Sequence, residues 1–100
     1  MIIAFYIEEM NYRGVANSIF LYSKYNEEIL KNKSLIFYNT VNNRHKKSVL
    51  KKFKKKFKVI GVKNFSEIEL YQNKFNIKYI YTQTGGEKTD EISNEIKTFV

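Results

Sequence analysis

The chain reads as an α/β protein with a Rossmann-like open parallel sheet, on three observations. Short apolar runs rich in β-branched and aromatic residues recur at Ile2–Ile7, Leu35–Tyr38, Val59–Val62 and Ile77–Tyr81. Segments whose apolar residues repeat every three to four positions separate them. The resulting order is β-α-β-α-β-α-β, and strands alternating with helices imply parallel pairing through right-handed crossovers.

Each element has its own signal. Ile2–Ile7 is apolar at every position, as in a strand buried on both faces of a parallel sheet. After the polar stretch Glu8 to Gly14, the stripe Val15, Ile19, Tyr22, Tyr25 or Asn26, and Ile29 or Leu30 predicts an amphipathic helix. It ends near Lys31-Asn32-Lys33, with Glu27 and Lys31 at i,i+4 in the favourable order. Leu35–Tyr38 is a second strand, and Asn39 to Asn43 its polar exit. Val49, Leu50, Phe53 and Phe57 form the stripe of a second helix, whose other positions are largely lysine. Val59–Val62 is a third strand. In Phe65-Ser66-Glu67-Ile68-Glu69-Leu70, Ser66 and Glu69 have capping-box spacing, and Phe65 and Leu70 take the staple positions. A short helix through Tyr71 and Phe75 and the strand Ile77–Tyr81 follow. Gln83 to Lys88 is a glycine-containing loop. From Thr89 the chain is polar, with Ile92 and Ile96 at i,i+4. Thr98-Phe99-Val100 reads as the start of a fifth strand. Residues 1–100 are therefore expected to be one Rossmann-like domain, truncated before or within that strand, from the N-terminal part of a longer two-domain protein.

Composition narrows the function classes. With 43% hydrophobic and 16% aromatic residues in 100, the chain builds one real core. It has no cysteine, which removes disulfides, thiolate metal sites and a cysteine nucleophile, and suits a reducing cytosol. The N-terminal apolar run lacks a basic leader and stops at Glu8-Glu9. No run approaches the roughly 20 apolar residues that span a bilayer, so the expected place is the cytoplasm, at most peripheral to a membrane. The formal net charge of +8 is mostly lysine, in a chain also rich in Asn, Ile, Tyr and Phe. An AT-rich genome imposes that bias on any protein, which lowers the weight of charge as evidence for an anionic partner.

In an open parallel sheet, ligands bind outside the carboxyl ends of the strands, at the point where strand order reverses. With the order 3-2-1-4, the crevice falls between strands one and four. The loops Glu8 to Gly14 and Thr82 to Lys88 then face each other. Gly14 opens a helix N-terminus, whose free N–H groups favour an anion or a sugar hydroxyl. Arg13 beside it offers bidentate bonds to phosphate or carboxylate, and Gly85-Gly86 lets backbone approach a ligand closely. A lone Arg-Gly is more often a plain helix start, and a Gly-Gly pair an ordinary turn; their meeting at one crevice raises both. The candidate binding residues are Asn11, Tyr12, Arg13, Gly14, Thr84, Gly85 and Gly86.

Other readings are bland. His45, the only histidine, reads as a solvated residue at the start of the lysine-rich helix. Glu8 and Glu9 end strand one and either could serve as a base, but neighbours on an extended chain point to opposite faces and do not pair. The lysines read as the solvated face of an amphipathic helix, since Phe53 and Phe57 fall on its buried stripe. No G-x-G-x-x-G or P-loop motif is present. Lys63-Asn64 stand where a receiver domain needs an aspartate, and no cluster has metal-ligand spacing.

The residues carry a resemblance. Ile3-Ala4-Phe5-Tyr6, Arg13-Gly14-Val15-Ala16, Tyr22 to Leu30 with its Tyr-x-x-x-Asn-Glu-x-x-Leu pattern, and Asn32-Lys33-Ser34 are similar to the start of glycosyltransferases with the two-domain GT-B fold. The likeness is best over Met1 to Tyr38 and resumes at Tyr79 to Lys88. Val15 stands where those proteins tend to carry threonine. The resemblance implies an acceptor-side domain, with the Arg13-Gly14 and Gly85-Gly86 loops facing an interdomain cleft. It implies a nucleotide-sugar donor held mostly by a C-terminal domain, no cofactor or metal, and transfer of the sugar to a glycan or other hydroxyl acceptor. The isolated segment is then inactive by itself. The alternative from charge alone is a small basic α/β module that binds nucleic acid or an anionic surface.

Overall fold

A computed structural model describes residues 1–10, 14–42, 44–82 and 97–99. Its elements are β1 (Ile2–Ile7), α1 (Gly14–Glu28), β2 (Lys33–Asn39), α2 (Lys47–Lys56) and β3 (Lys58–Val62). A 3-10 helix (Phe65–Tyr71), α3 (Gln72–Phe75), β4 (Tyr79–Thr82) and β5 (Lys97–Phe99) follow. The sheet is parallel in the order β3-β2-β1-β4-β5. The Rossmann-like α/β expectation holds, and the strand order reverses between β1 and β4. Lys97–Phe99 pairs with β4, in register Tyr79 to Lys97. The expected pair Ile92 and Ile96 lies outside the described residues.

Strand alternation splits the core into two layers. Ala4 and Tyr6 of β1, Leu35 and Phe37 of β2, Val62 and Ile80 pack with Ile68 of the 3-10 helix and Ile77. Phe5, Ile7 and Ile36 pack on the opposite face with Ala16 and Ile19 of α1 and Val49, Phe53 and Phe57 beside them. Phe20 joins the two long helices, lying edge-on to Phe53 at 5.2 Å and to Phe57 at 5.3 Å between ring centres. Each such fully buried aromatic or aliphatic side chain contributes about 1.5–3 kcal/mol by leaving water.

Helix α1 keeps Ile19 and Asn26 of its predicted stripe and departs from it at Tyr22, Ile29 and Leu30. Ala16, Ile19, Ser23 and Asn26 are buried, whereas Tyr22, Tyr25, Ile29 and Leu30 are exposed. The stripe is rotated because the helix closes on a polar lock instead of running on to Lys33. Asn26 donates from Nδ2 to Ser34 Oγ at 3.0 Å and to the Lys33 carbonyl at 3.3 Å, and accepts from Asn32 Nδ2 at 3.0 Å. Ser34 Oγ in turn donates to the Ser23 carbonyl at 2.9 Å. Glu27 is not on a helical ladder with Lys31. Its carboxylate accepts from Ser34 N–H at 2.9 Å, and Lys31 adopts φ 59, past the helix end.

The cap before the 3-10 helix also sits elsewhere. Asn64, not Ser66, is the N-cap: its Oδ1 accepts from Glu67 N–H at 3.0 Å, and Glu67 reaches back to Lys63 N–H at 2.9 Å. Ser66 donates its hydroxyl to the same Asn64 Oδ1 at 2.7 Å. Leu70 is exposed and staples nothing. Asparagine is as good an N-cap as serine, and the box simply forms two residues earlier. Strand β4 starts at Tyr79, two residues after the expected Ile77, because Asn76 turns the chain at φ 52.

Candidate functional site at the carboxyl edge of the sheet

The carboxyl ends of β1 and β4 meet at the register pair Tyr6 and Thr82. Of the predicted binding residues, the structure places Gly14, the exposed first residue of α1. A Cβ there would meet nothing within 4 Å, so the position does not require glycine for a close approach. Asn11, Tyr12, Arg13, Thr84, Gly85 and Gly86 lie outside the described residues.

A polar cluster organises the edge between β1 and β2. Both Glu8 carboxylate oxygens are engaged, Oε2 by the Tyr6 hydroxyl at 2.5 Å and Oε1 by Asn39 Nδ2 at 2.6 Å. Asn42 Nδ2 donates to the Glu8 carbonyl at 3.1 Å. Asn39 Oδ1 accepts from Val41 N–H at 2.8 Å, an Asx turn that bends the exit of β2 toward the exit of β1. Burial, then the hydrogen bond to Glu8 and its negative charge, push the Tyr6 hydroxyl well above its ordinary range, against a smaller lowering by Asn39. Tyr6 therefore remains a protonated donor at neutral pH and holds Glu8 as an acceptor.

His45 is not a solvated surface residue. It is half-buried, and its ring joins the two exits. Nδ1 accepts from Met10 N–H at 2.8 Å, and Nε2 lies 2.5 Å from the Asn39 carbonyl. An amide N–H can only donate, so Nδ1 carries the lone pair and Nε2 carries the proton. Tyr38 stacks edge-on to the ring at 5.3 Å, and the Lys46 N–H donates to the Met10 carbonyl at 2.6 Å. Glu9 turns away from Glu8 to face Arg44 at 3.8 Å, so the two glutamates do not form a pair.

Thr82 ends β4 at the reversal point. Its hydroxyl is buried and has no hydrogen-bond partner among the described residues. Sequence reasoning placed Thr82 only as the first residue of the crevice loop, Asn39 and Asn42 only in a polar exit loop and His45 only on the surface, and it missed Tyr6. The pairings themselves join residues some thirty positions apart, and local patterns do not report them. No group of three His, Cys, Asp or Glu side chains among the described residues could hold a metal ion. Chemically, the edge holds amide donors and carboxylate and carbonyl acceptors that are bonded to one another. No protein-family model matches the chain, and no curated protein and no solved structure matches it.

Proposed function

We propose that this chain is the acceptor-side, N-terminal domain of a glycosyltransferase that moves a sugar from a nucleotide-sugar to a glycan or other hydroxyl acceptor. The observation that carries the reading is the reversal of strand order between β1 and β4, with Tyr6 and Thr82 ending its two walls. That is where sheets of this kind receive ligands. Because such a fold serves many activities, the chemistry of the edge matters more than the fold. The Glu8, Asn39 and Asn42 cluster puts a carboxylate and two amides at that edge, groups of the kind that bond sugar hydroxyls. The resemblance over Met1 to Tyr38 supports the same reading. Arg13 and Gly14, with Thr84 to Gly86, would approach acceptor or donor from the two loops. A second domain would hold most of the nucleotide-sugar, and the setting is cytoplasmic.

The test is to read the coding frame beyond Val100, express the whole protein, and assay nucleotide-sugar hydrolysis and then transfer. Arg13→Ala is expected to lower transfer at least tenfold with the fold intact, about 1.4 kcal/mol of lost binding to charge. Absence of a second α/β domain, or full transfer by Arg13→Ala, would sink the reading. A second reading, a basic module for nucleic acid, rests on α2, where Lys47, Lys51, Lys52, Lys54, Lys55 and Lys56 are all exposed. It predicts affinity for DNA or RNA that falls steeply with salt.

A further inference from the structure

The amino-terminal edge of the sheet, opposite the polar cluster, has a different chemistry. Parallel strands start there, with Ile2, Lys33, Lys58 and Tyr79 as first residues. Helix α1 ends at the same edge and hands the chain to β2 through Ile29–Asn32, and the Lys33 N–H donates to the Met1 carbonyl at 2.9 Å. Met1 is 69% exposed, and Ile29 and Leu30 are each 66% exposed. The same edge carries Lys31, Lys33, Lys56, Lys58 and Lys78, all exposed. Among the described residues, the acidic side chains at this edge are engaged, Glu28 with Lys56 at 3.4 Å and Glu27 with Ser34 N–H.

Three bare aliphatic side chains at an edge that also carries five exposed lysines match one kind of surface. We infer that this edge docks on an anionic lipid bilayer, with Met1, Ile29 and Leu30 entering the headgroup boundary and the lysines meeting lipid phosphates. Charge complementarity selects this occupant. A second copy of the chain would set lysine against lysine in a protein of net charge +8. Nucleic acid would use the lysines but leave the aliphatic side chains in water. Apolar insertion combined with basic attraction to anionic lipid is the usual basis of interfacial binding. Docked this way, the carboxyl edge with Glu8 and Asn39 faces away from the membrane. The inference stands independently of the transferase reading.

The experiment is co-sedimentation of the full chain with vesicles of phosphatidylcholine, alone or with about 30 mol % phosphatidylserine. Binding is expected only with the anionic lipid. Lys33→Glu and Lys58→Glu should each weaken it at least about fivefold. Ile29→Ser with Leu30→Ser should weaken it about tenfold at unchanged charge. Leu30→Ser alone serves as a milder form, and circular dichroism checks that each variant folds. Arg44→Glu makes the same charge change at the far edge and should alter binding less than about twofold. Equal binding to neutral vesicles, no binding, or binding indifferent to Ile29→Ser with Leu30→Ser overturns the inference. Tight salt-sensitive binding to duplex DNA or RNA that is likewise indifferent to those serines replaces it with the nucleic-acid reading.

Discussion

Asn26 and Ser34 meet in a buried hydrogen bond of 3.0 Å that ties the last turn of α1 to the first residues of β2. The contact assigns a purpose to a conspicuous part of the sequence. Asn26, Glu27 and Ser34 belong to the stretch on which the proposed function partly rests, and all three act within the fold. They satisfy backbone groups at the crossover, and none faces the carboxyl edge.

Asn26→Ala is therefore expected to destabilise the domain by about 2 kcal/mol, since it strips partners from buried polar atoms of Ser34 and Lys33. Urea unfolding followed by circular dichroism measures it. Asn26→Asp keeps only the acceptor side and should also lose stability. A change under about 0.5 kcal/mol for Asn26→Ala would contradict the buried lock.

The His45 bridge predicts a tautomer. Nitrogen-15 NMR of the neutral imidazole should show a proton on Nε2 and a bare Nδ1. His45→Ala should cost about 1–2 kcal/mol and increase hydrogen exchange at Met10 N–H. An Nδ1-protonated ring would refute the pairing with Met10.

Tyr6 gives a pH prediction with a definite sign. Its folded-state pKa is raised, first by burial and then by Glu8. The folded chain thus holds the phenolic proton more tightly than the unfolded chain. The stability this contributes is complete below the unfolded value of about 10 and is lost as pH rises above it. Tyr6→Phe should flatten that fall above about pH 10, measured as urea midpoints for the two proteins. At neutral pH the same substitution should cost about 1 kcal/mol, since the Glu8 partner is exposed. An equally steep alkaline loss in Tyr6→Phe would assign the effect to other tyrosines.

Gly61 faces a crowded wall. A Cβ there would overlap Thr40 Cγ2 and sit 3.3 Å from the Tyr38 ring. Thr40 is held by its hydroxyl donating to the Val62 carbonyl at 3.2 Å, and its β-branched side chain swings only between rotamers. Gly61→Ala should destabilise by about 1–2 kcal/mol. Adding Thr40→Gly should recover part of the loss, as a double-mutant cycle would reveal.

Much of the fold was legible. Continuous apolar runs marked β1 to β4 because a strand covered on both faces has no polar face to break the pattern. The alternation with helices implied parallel pairing, whereas the reversal point rested on an assumed strand order that the structure bears out. The errors were local contests between near-equal signals. Tyr22, Tyr25, Ile29 and Leu30 fit a helical stripe as well as the true face does, and only the buried polar pair Asn26 and Ser23 shows which face won. Asn64 and Ser66 competed for one cap, and the turn after Val62 favoured the earlier residue. The polar edge was hardly legible, because Glu8 with Asn39 and Met10 with His45 are pairings made by topology.

The position of β1 has a consequence for synthesis. It lies between β2 and β4, and its pairing with β2 needs only the α1 crossover. Its other side, from Ile3 to Tyr6, waits for Tyr79–Thr82 to emerge. During translation, a ribosome-bound chain with β1 to β3 assembled carries an apolar strand with one flank unpaired. Such an edge templates association with neighbouring chains. Slow elongation through residues 63–78 would prolong that exposure, and rapid passage or a chaperone at the exit tunnel would shorten it.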